Sequence, residues 1–252
     1  MRKLVYYVPT AVHRDADVQA FVTAAGLTNA SQAEAIKNLV RALKEGGIWE
    51  SMTALYPMVG GTARAHTLNL RDVTAYPLYF SSRASHSRLG MELLENGYAA
   101  TGLAVTDVSN SHLSYYLHNP TTTANDVVIG SYGNEVEYYI QSHNAKAESV
   151  YATGLGYAVS NAVPRGLLLG SSTNSGAGGR LYWNATLVAV QPAYSKAAAP
   201  IYIGALNNGG TATNGTTATC SLASIGTYLT AEQVSAFYAA VQDYQAALGR
   251  AV

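Results

Sequence analysis

The chain has 252 residues, 48% of them hydrophobic and only 12% charged, with 15 basic side chains against 15 acidic. That balance leaves no basic stripe to displace counterions from a phosphate backbone, so nucleic acid is not expected as a partner. No apolar run reaches the roughly 18 residues that a membrane-crossing helix needs, so no membrane insertion is expected, and the length suits one all-β domain.

The opening MRKLVYYVPTAVHR places Arg2 and Lys3 before an apolar run. Pro9 and two tyrosines interrupt that run and no small-residue cleavage site follows. Residues 1–14 are therefore expected to stay attached as an N-terminal arm on a protein made in the cytoplasm. Asp17 can cap a predicted helix whose apolar face is Val18, Phe21, Val22 and Ala25, with Gly26 as its left-handed stop. Ser31 and Glu34 carry a capping-box signature for a second helix, which shows Ile36, Leu39, Val40 and Leu43 on one side and ends at Gly46-Gly47. Together they predict a helical hairpin over residues 15–47, packed on the body that follows.

Residues 48–252 read as a strand-rich body, with 19 tyrosines and 23 glycines in the whole chain supplying strands and turns. Leu113, Tyr115 and Leu117 alternate with Ser114, Tyr116 and His118. Val136, Tyr138 and Ile140 alternate with Glu135, Glu137 and Tyr139, and Tyr182, Asn184 and Thr186 with Leu181, Trp183 and Ala185. Turns are predicted at Gly133-Asn134, Ser142 to Asn144, Ser171 to Gly179 and Asn207 to Gly215. Cys220, the one cysteine, reads as a core residue of a buried strand spanning Ala218 to Ile225. Thr230 and Gln233 then cap a last helix, with Val234, Phe237, Tyr238, Val241, Tyr244 and Leu248 along one stripe before Gly249. Short strands without helices between them predict an antiparallel sandwich. The three one-sided terminal helices need an apolar surface, either the body or one another.

The candidate chemistry is sparse. Glu135 and Glu137, at i and i+2 of a strand, share a face and could set two carboxylates over a groove. His13, His66, His86, His112, His118 and His143 form no i, i+4 helical pair and no short cluster, so no metal site is expected, and His66 and His112 are read as buried hydrogen-bonding groups. No Gly-x-Ser-x-Gly elbow occurs. The Gly-rich run Ser171 to Gly179 lacks the lysine and following helix of a phosphate loop. Asp107, Asn110, Asn125 and Asp126 are oxygen donors that a calcium ion could use, but they follow no recognisable loop pattern. The Asn-x-Ser/Thr sequons at Asn29, Asn184 and Asn214 receive no role. The sequence therefore assigns no catalytic, cofactor or metal residue. Exposed tyrosines can stack on the apolar faces of sugars, and the loops Ser171 to Gly179 and Asn207 to Gly215 are where a glycan site is expected.

A set of segments in fixed order carries a family resemblance: Gly47-Ile48-Trp49, Ala54-Leu55-Tyr56-Pro57, Gly60-Gly61-Thr62-Ala63, His66, Asn69-Leu70, His112-Leu113-Ser114-Tyr115-Tyr116 and Leu248-Gly249-Arg250. From about Val18 to Arg250 the chain resembles a family of tailed-bacteriophage virion proteins with a concanavalin A-like, laminin G-like jelly-roll body. The resemblance implies a mainly β fold, an antiparallel jelly-roll sandwich with an N-terminal helical hairpin and a C-terminal helix. It implies a non-enzymatic structural protein of the virion, a head or tail appendage, decoration or fibre component. Its partners would be other virion proteins, sister subunits of a homo-oligomer and a host-surface glycan, with no cofactor. Some glycosidases of this fold carry three acids on one strand as E-x-D-x-x-E. Here Glu135 and Glu137 fall on the first two positions and Ile140 on the third, which removes one carboxylate. The competing readings are a glycoside hydrolase or lyase acting on polysaccharide and a free carbohydrate-binding module. The apolar alternation of the arm suggests a docking segment. Deleting residues 1–13 is expected to lower incorporation into particles, and unchanged incorporation would contradict that role.

Overall fold

A computed structural model describes residues 15–119, 126–133, 136–143, 148–154, 156–160, 165–173, 178–192 and 197–252; the predicted arm, 1–14, lies outside them. Two helices open the described chain, α1 (Ala16–Ala25) and α2 (Ala30–Glu45). Each is capped two positions earlier than a signature reading suggests. Asp15, not Asp17, accepts from the backbone N–H of Asp17 at 3.0 Å, which frees Asp17 to pair with Lys44 at 2.6 Å. Asn29, not Ser31, caps α2 by accepting from Ser31 N–H at 2.9 Å, and Glu34 pairs with Lys37 instead of closing a box. Gly26, at φ 65°, is the left-handed stop.

In chain order there follow β1 (Met52–Tyr56), α3 (Ala63–Thr67), β2 (Tyr79–Phe80), β3 (Ala84–Ser87), β4 (Gly90–Leu93) and β5 (Ala99–Ala104). Next come β6 (Ser111–Leu117), β7 (Asp126–Gly133), β8 (Val136–His143), β9 (Glu148–Gly154), β10 (Gly156–Ser160) and β11 (Gly166–Ser172). The chain closes with β12 (Gly179–Trp183), β13 (Thr186–Gln191), β14 (Pro200–Ile203), β15 (Leu206–Asn208), β16 (Thr211–Thr213), β17 (Cys220–Gly226) and α4 (Ala231–Ala247). Among the described residues these strands make two sheets. One has eight strands in the order β13-β12-β11-β6-β17-β4-β3, with β1 also on β17; the other has nine, β10-β9-β8-β7-β14-β5-β2, with the β15–β16 hairpin attached to β7. The paired strands run antiparallel except β15 on β7. The fold is a mainly β sandwich with N-terminal helices and a C-terminal helix, as the sequence predicts.

Two apolar layers explain the strand patterns. Leu113, Tyr115 and Leu117 of β6 point between the sheets with Tyr138 and Ile140 of β8, Ile201 and Ile203 of β14 and Ile225 of β17. On the other face of the same sheet, Tyr116, Leu167, Leu169 and Leu222 lie under Phe21, Ile36, Leu39, Phe237, Val241 and Tyr244 of the helices. Consequently β6, β11 and β17 are buried at every position. The helices thus use both surfaces the sequence offered, the body and one another. The predicted cap holds at α4, where the box is complete: Thr230 accepts from Gln233 N–H and Gln233 Oε1 from Thr230 N–H.

Three predicted segments fold differently. The alternation through Tyr182, Asn184 and Thr186 is broken, because Asn184 and Ala185 sit at φ 47° and 62° and turn β12 back into β13, pairing Trp183 with Thr186. Positive φ at both central residues is the twist-matched two-residue hairpin turn. Ser142 belongs to β8, so the strand outlasts its predicted break. Asn207 to Gly215 is not a plain loop but holds the β15–β16 hairpin.

The helical layer is fastened by Arg250, 2% exposed. Its Nε donates to Gln245 Oε1 at 2.5 Å, Nη1 to the carbonyls of Met58 (2.7 Å) and Arg88 (3.3 Å), and Nη2 to those of Pro57 and Ser221 (both 2.8 Å). All five guanidinium N–H groups are therefore satisfied, by neutral acceptors from four separate segments. Tyr244, whose ring lies 5.5 Å from the guanidinium, also donates to Pro57 O, and Gln245 Nε2 to Ser221 O. Replacing Arg250 would orphan chiefly Met58 O, Arg88 O and Gln245 Oε1, each costing about 1–3 kcal/mol. Arg250→Met is expected to lower the unfolding free energy by about 3–5 kcal/mol in urea titrations. A change within about 0.5 kcal/mol would show that the clamp is dispensable.

Candidate functional site

The outer face of the nine-stranded sheet is not covered by the helices, and sequence alternation dictates what it displays. Because Tyr138 and Ile140 point into the core, Glu137, Tyr139 and Gln141 of β8 point out. Because Ile201 and Ile203 point in, Tyr202 points out, and it stacks on Tyr98 with ring centroids 4.4 Å apart and planes within 6°. Tyr79, paired with Ala100 on the same face, is 67% exposed. Tyr139 pairs with Gly130 on β7, at φ 152°, where a Cβ would fall 2.3 Å from that of Tyr139. Only glycine permits that approach.

A depression of about 220 Å³ opens on this face, lined by Val127, Tyr132, Glu137, Tyr139, Gln141, Leu206 and Asn214. Tyr132 is 39% exposed. Glu137 Oε2 is buried and has no hydrogen-bond partner among the described residues. The lining therefore combines aromatic surface with a carboxylate and two amides, which accept and donate hydrogen bonds in fixed positions. Leu206 and Asn214 stand at the two feet of the β15–β16 hairpin, so the predicted Asn207 to Gly215 segment borders this depression. None of the described residues of the Ser171 to Gly179 run lines it: Ser171 is buried in β11, where its hydroxyl accepts from Leu229 N–H and donates to Leu229 O.

The other sequence candidates go elsewhere. Glu135 and Asn125 lie outside the described residues, as do His13 and residues 174–177 of the Gly-rich run. Asp107 and Asn110 border a rim cleft near Tyr76 and Thr227, and Asp107 Oδ1 is engaged by Ser109 N–H at 2.9 Å and its hydroxyl at 2.7 Å. Asp126, buried at the start of β7, is not part of that cleft. Among the described residues no three His, Cys, Asp or Glu side chains converge as a metal site. Cys220 is buried in β17, and its thiol is pushed up to about 12 by burial, which makes it unreactive.

His112 is held inside the helical layer. Its Nδ1 donates to Thr227 O at 2.6 Å and its Nε2 accepts from Ser224 Oγ at 3.0 Å, while Ser224 Oγ is 2.6 Å from Ser114 Oγ. Gly226 leaves room for it, since a Cβ there would lie 2.6 Å from the imidazole. His66 and His86 share one hydrogen between Nδ1 atoms 3.0 Å apart, which requires at least the accepting ring to be neutral. Burial pushes His112 down to about 4, and burial, with His86 and Arg250 nearby, pushes His66 down to about 3. These are structural imidazoles held in the uncharged form.

No protein-family model matches the chain, and no curated protein does either. Among solved structures it is similar to domain 4 of AbnA, a GH43 extracellular arabinanase from Geobacillus stearothermophilus, solved in complex with arabinotriose. The TM-score is 0.52 at 14% identity, over 74% of this chain and 98% of that one. It is also similar to the binding domain of botulinum neurotoxin serotype D, with TM-score 0.51 and 10% identity over 77% of this chain and 52% of that one. The chain therefore shares the β-sandwich fold of these two domains.

The two depressed imidazoles make the fold acid-sensitive. Unfolded histidine titrates near 6.5, so as pH falls from about 6.5 to about 4 the unfolded chain takes up protons that folded His112 and His66 do not. Stability, full above about pH 6.5, is expected to drop by up to about 1.4 kcal/mol per pH unit for each histidine across that window. Urea midpoints measured between about pH 7 and about pH 4.5 check this, with His112→Gln flattening part of the slope. A flat profile in the parent protein would contradict the buried neutral assignment.

Proposed function

We propose that the protein is a non-enzymatic carbohydrate-binding module that serves a virion as an appendage or fibre component. The observation that carries the binding role is the depression of Tyr132, Glu137, Tyr139, Gln141 and Asn214 on the uncovered sheet. Aromatic rings stack on the apolar faces of sugars, while a carboxylate and amides bond the hydroxyl edges. The similar arabinanase domain was solved with arabinotriose, which supports the same class of ligand here. Most glycoside hydrolases set two carboxylates across the scissile bond, and the described lining holds one, Glu137, which favours the binding reading. The virion setting, with sister subunits and other virion proteins as partners and a host-surface glycan as target, rests on the anchor segments of the sequence.

Tyr139→Ala is expected to weaken glycan binding by about tenfold or more, in line with about 1.5 kcal/mol for a stacked aromatic. Calorimetry on hits from a bacterial glycan array measures it. Binding indifferent to Tyr139→Ala would remove the site, and reducing-end release that disappears in Glu137→Gln would replace the binding module with an enzyme.

A further inference from the structure

We infer that the depression takes one neutral sugar unit at the end of a glycan, not a stretch of chain interior; this rests on the glycan-binding reading above. Size is the first reason. Sites for drug-sized ligands run from about 300 Å³ upward, and this one holds about 220 Å³, the scale of a single ring with its substituents. The second reason is a wall. A glycan crossing the strands from Tyr139 toward Tyr202 meets the β15–β16 hairpin, whose feet, Leu206 and Asn214, already line the depression.

That wall is held from both ends. Val127 N–H donates to Asn214 O at 2.7 Å and Asn207 Nδ2 to Pro200 O at 2.7 Å. Gly210 N–H donates to Asn207 Oδ1 at 2.8 Å, and the Tyr202 hydroxyl to Gly210 O at 3.3 Å. The tip thus leans on the same tyrosine that an extended ligand would need. The third reason is charge. Among the described residues Glu137 is the single charged group of the lining, and its buried Oε2 has no donor. A carboxylate only accepts, so a hydroxyl-bearing neutral ring completes it, while an acidic sugar would bring a second negative charge with no cation opposite among the described lining residues.

Titration calorimetry tests this with glucose, galactose, mannose, arabinose and N-acetylglucosamine, the homo-oligomers of each up to the hexasaccharide, and oligogalacturonate. The sugar that binds is expected to keep its affinity within about tenfold from monosaccharide to hexasaccharide, with no binding of oligogalacturonate. Affinity that climbs with each added unit, or a preference for oligogalacturonate, would overturn the terminal neutral unit while leaving the glycan-binding reading in place. Absence of binding to every neutral probe, in protein whose fold is intact by circular dichroism, would overturn that reading and this inference together.

Discussion

A guanidinium buried without a carboxylate partner holds this molecule together. Arg250 reaches from the end of α4 into a nest of backbone carbonyls contributed by Pro57 and Met58 after β1, Arg88 between β3 and β4, and Ser221 in β17. Taking a charge out of water is costly, and only a full set of hydrogen bonds offsets it. Neutral acceptors impose a strict geometry, because each carbonyl must stand where the rigid fork of N–H groups points. The C-terminal helix, the first strand and the edge hairpin are therefore fixed relative to β17 by one side chain.

That constraint decides which face of the sandwich can work. Helices α1, α2 and α4 cover the eight-stranded sheet and bury β17, β6 and β11 on both sides. The helices leave the outer face of the nine-stranded sheet uncovered, and on it the alternation of β8 and β14 turns Tyr139 and Tyr202 outward. Rigidity on one side and exposed aromatic surface on the other suit recognition by contact, where pre-organised groups lower the cost of binding. The three histidines fit the same division. His112 and the His66–His86 pair are structural groups near the helical layer and the edge hairpin, far in role from the open sheet.

Much of the scaffold was legible in the residues. The 3.6-residue stripes of α2 and α4, the alternation of β6 and β8, and the burial of Cys220 follow directly from hydrophobic period. Three residues of the segments that carry the resemblance are structural: Asn69 bridges Leu55 N–H and Thr53 O, His112 ties β6 to β17, and Arg250 closes the clamp. They explain why the resemblance follows the fold more than a ligand. The caps of α1 and α2 were misread because Asp15 and Asn29 compete with equally good candidates nearby. The β12–β13 turn was hidden because Asn184-Ala185 lacks the glycine that usually marks such turns. The depression itself was not legible. It depends on the hairpin folding back against β7 and on Gly130 lying beside Tyr139, long-range pairings that no local pattern encodes. Its one sequence signal was Glu137 and Tyr139 sharing a strand face.

The claim that one face is braced and the opposite face binds is tested most directly by backbone NMR of the labelled protein titrated with a neutral sugar ligand. The account predicts shift changes confined to β7, β8 and residues 206–214, with α1, α2 and α4 unmoved. Changes centred on the helical layer, or on the rim cleft beside Tyr76, would contradict it.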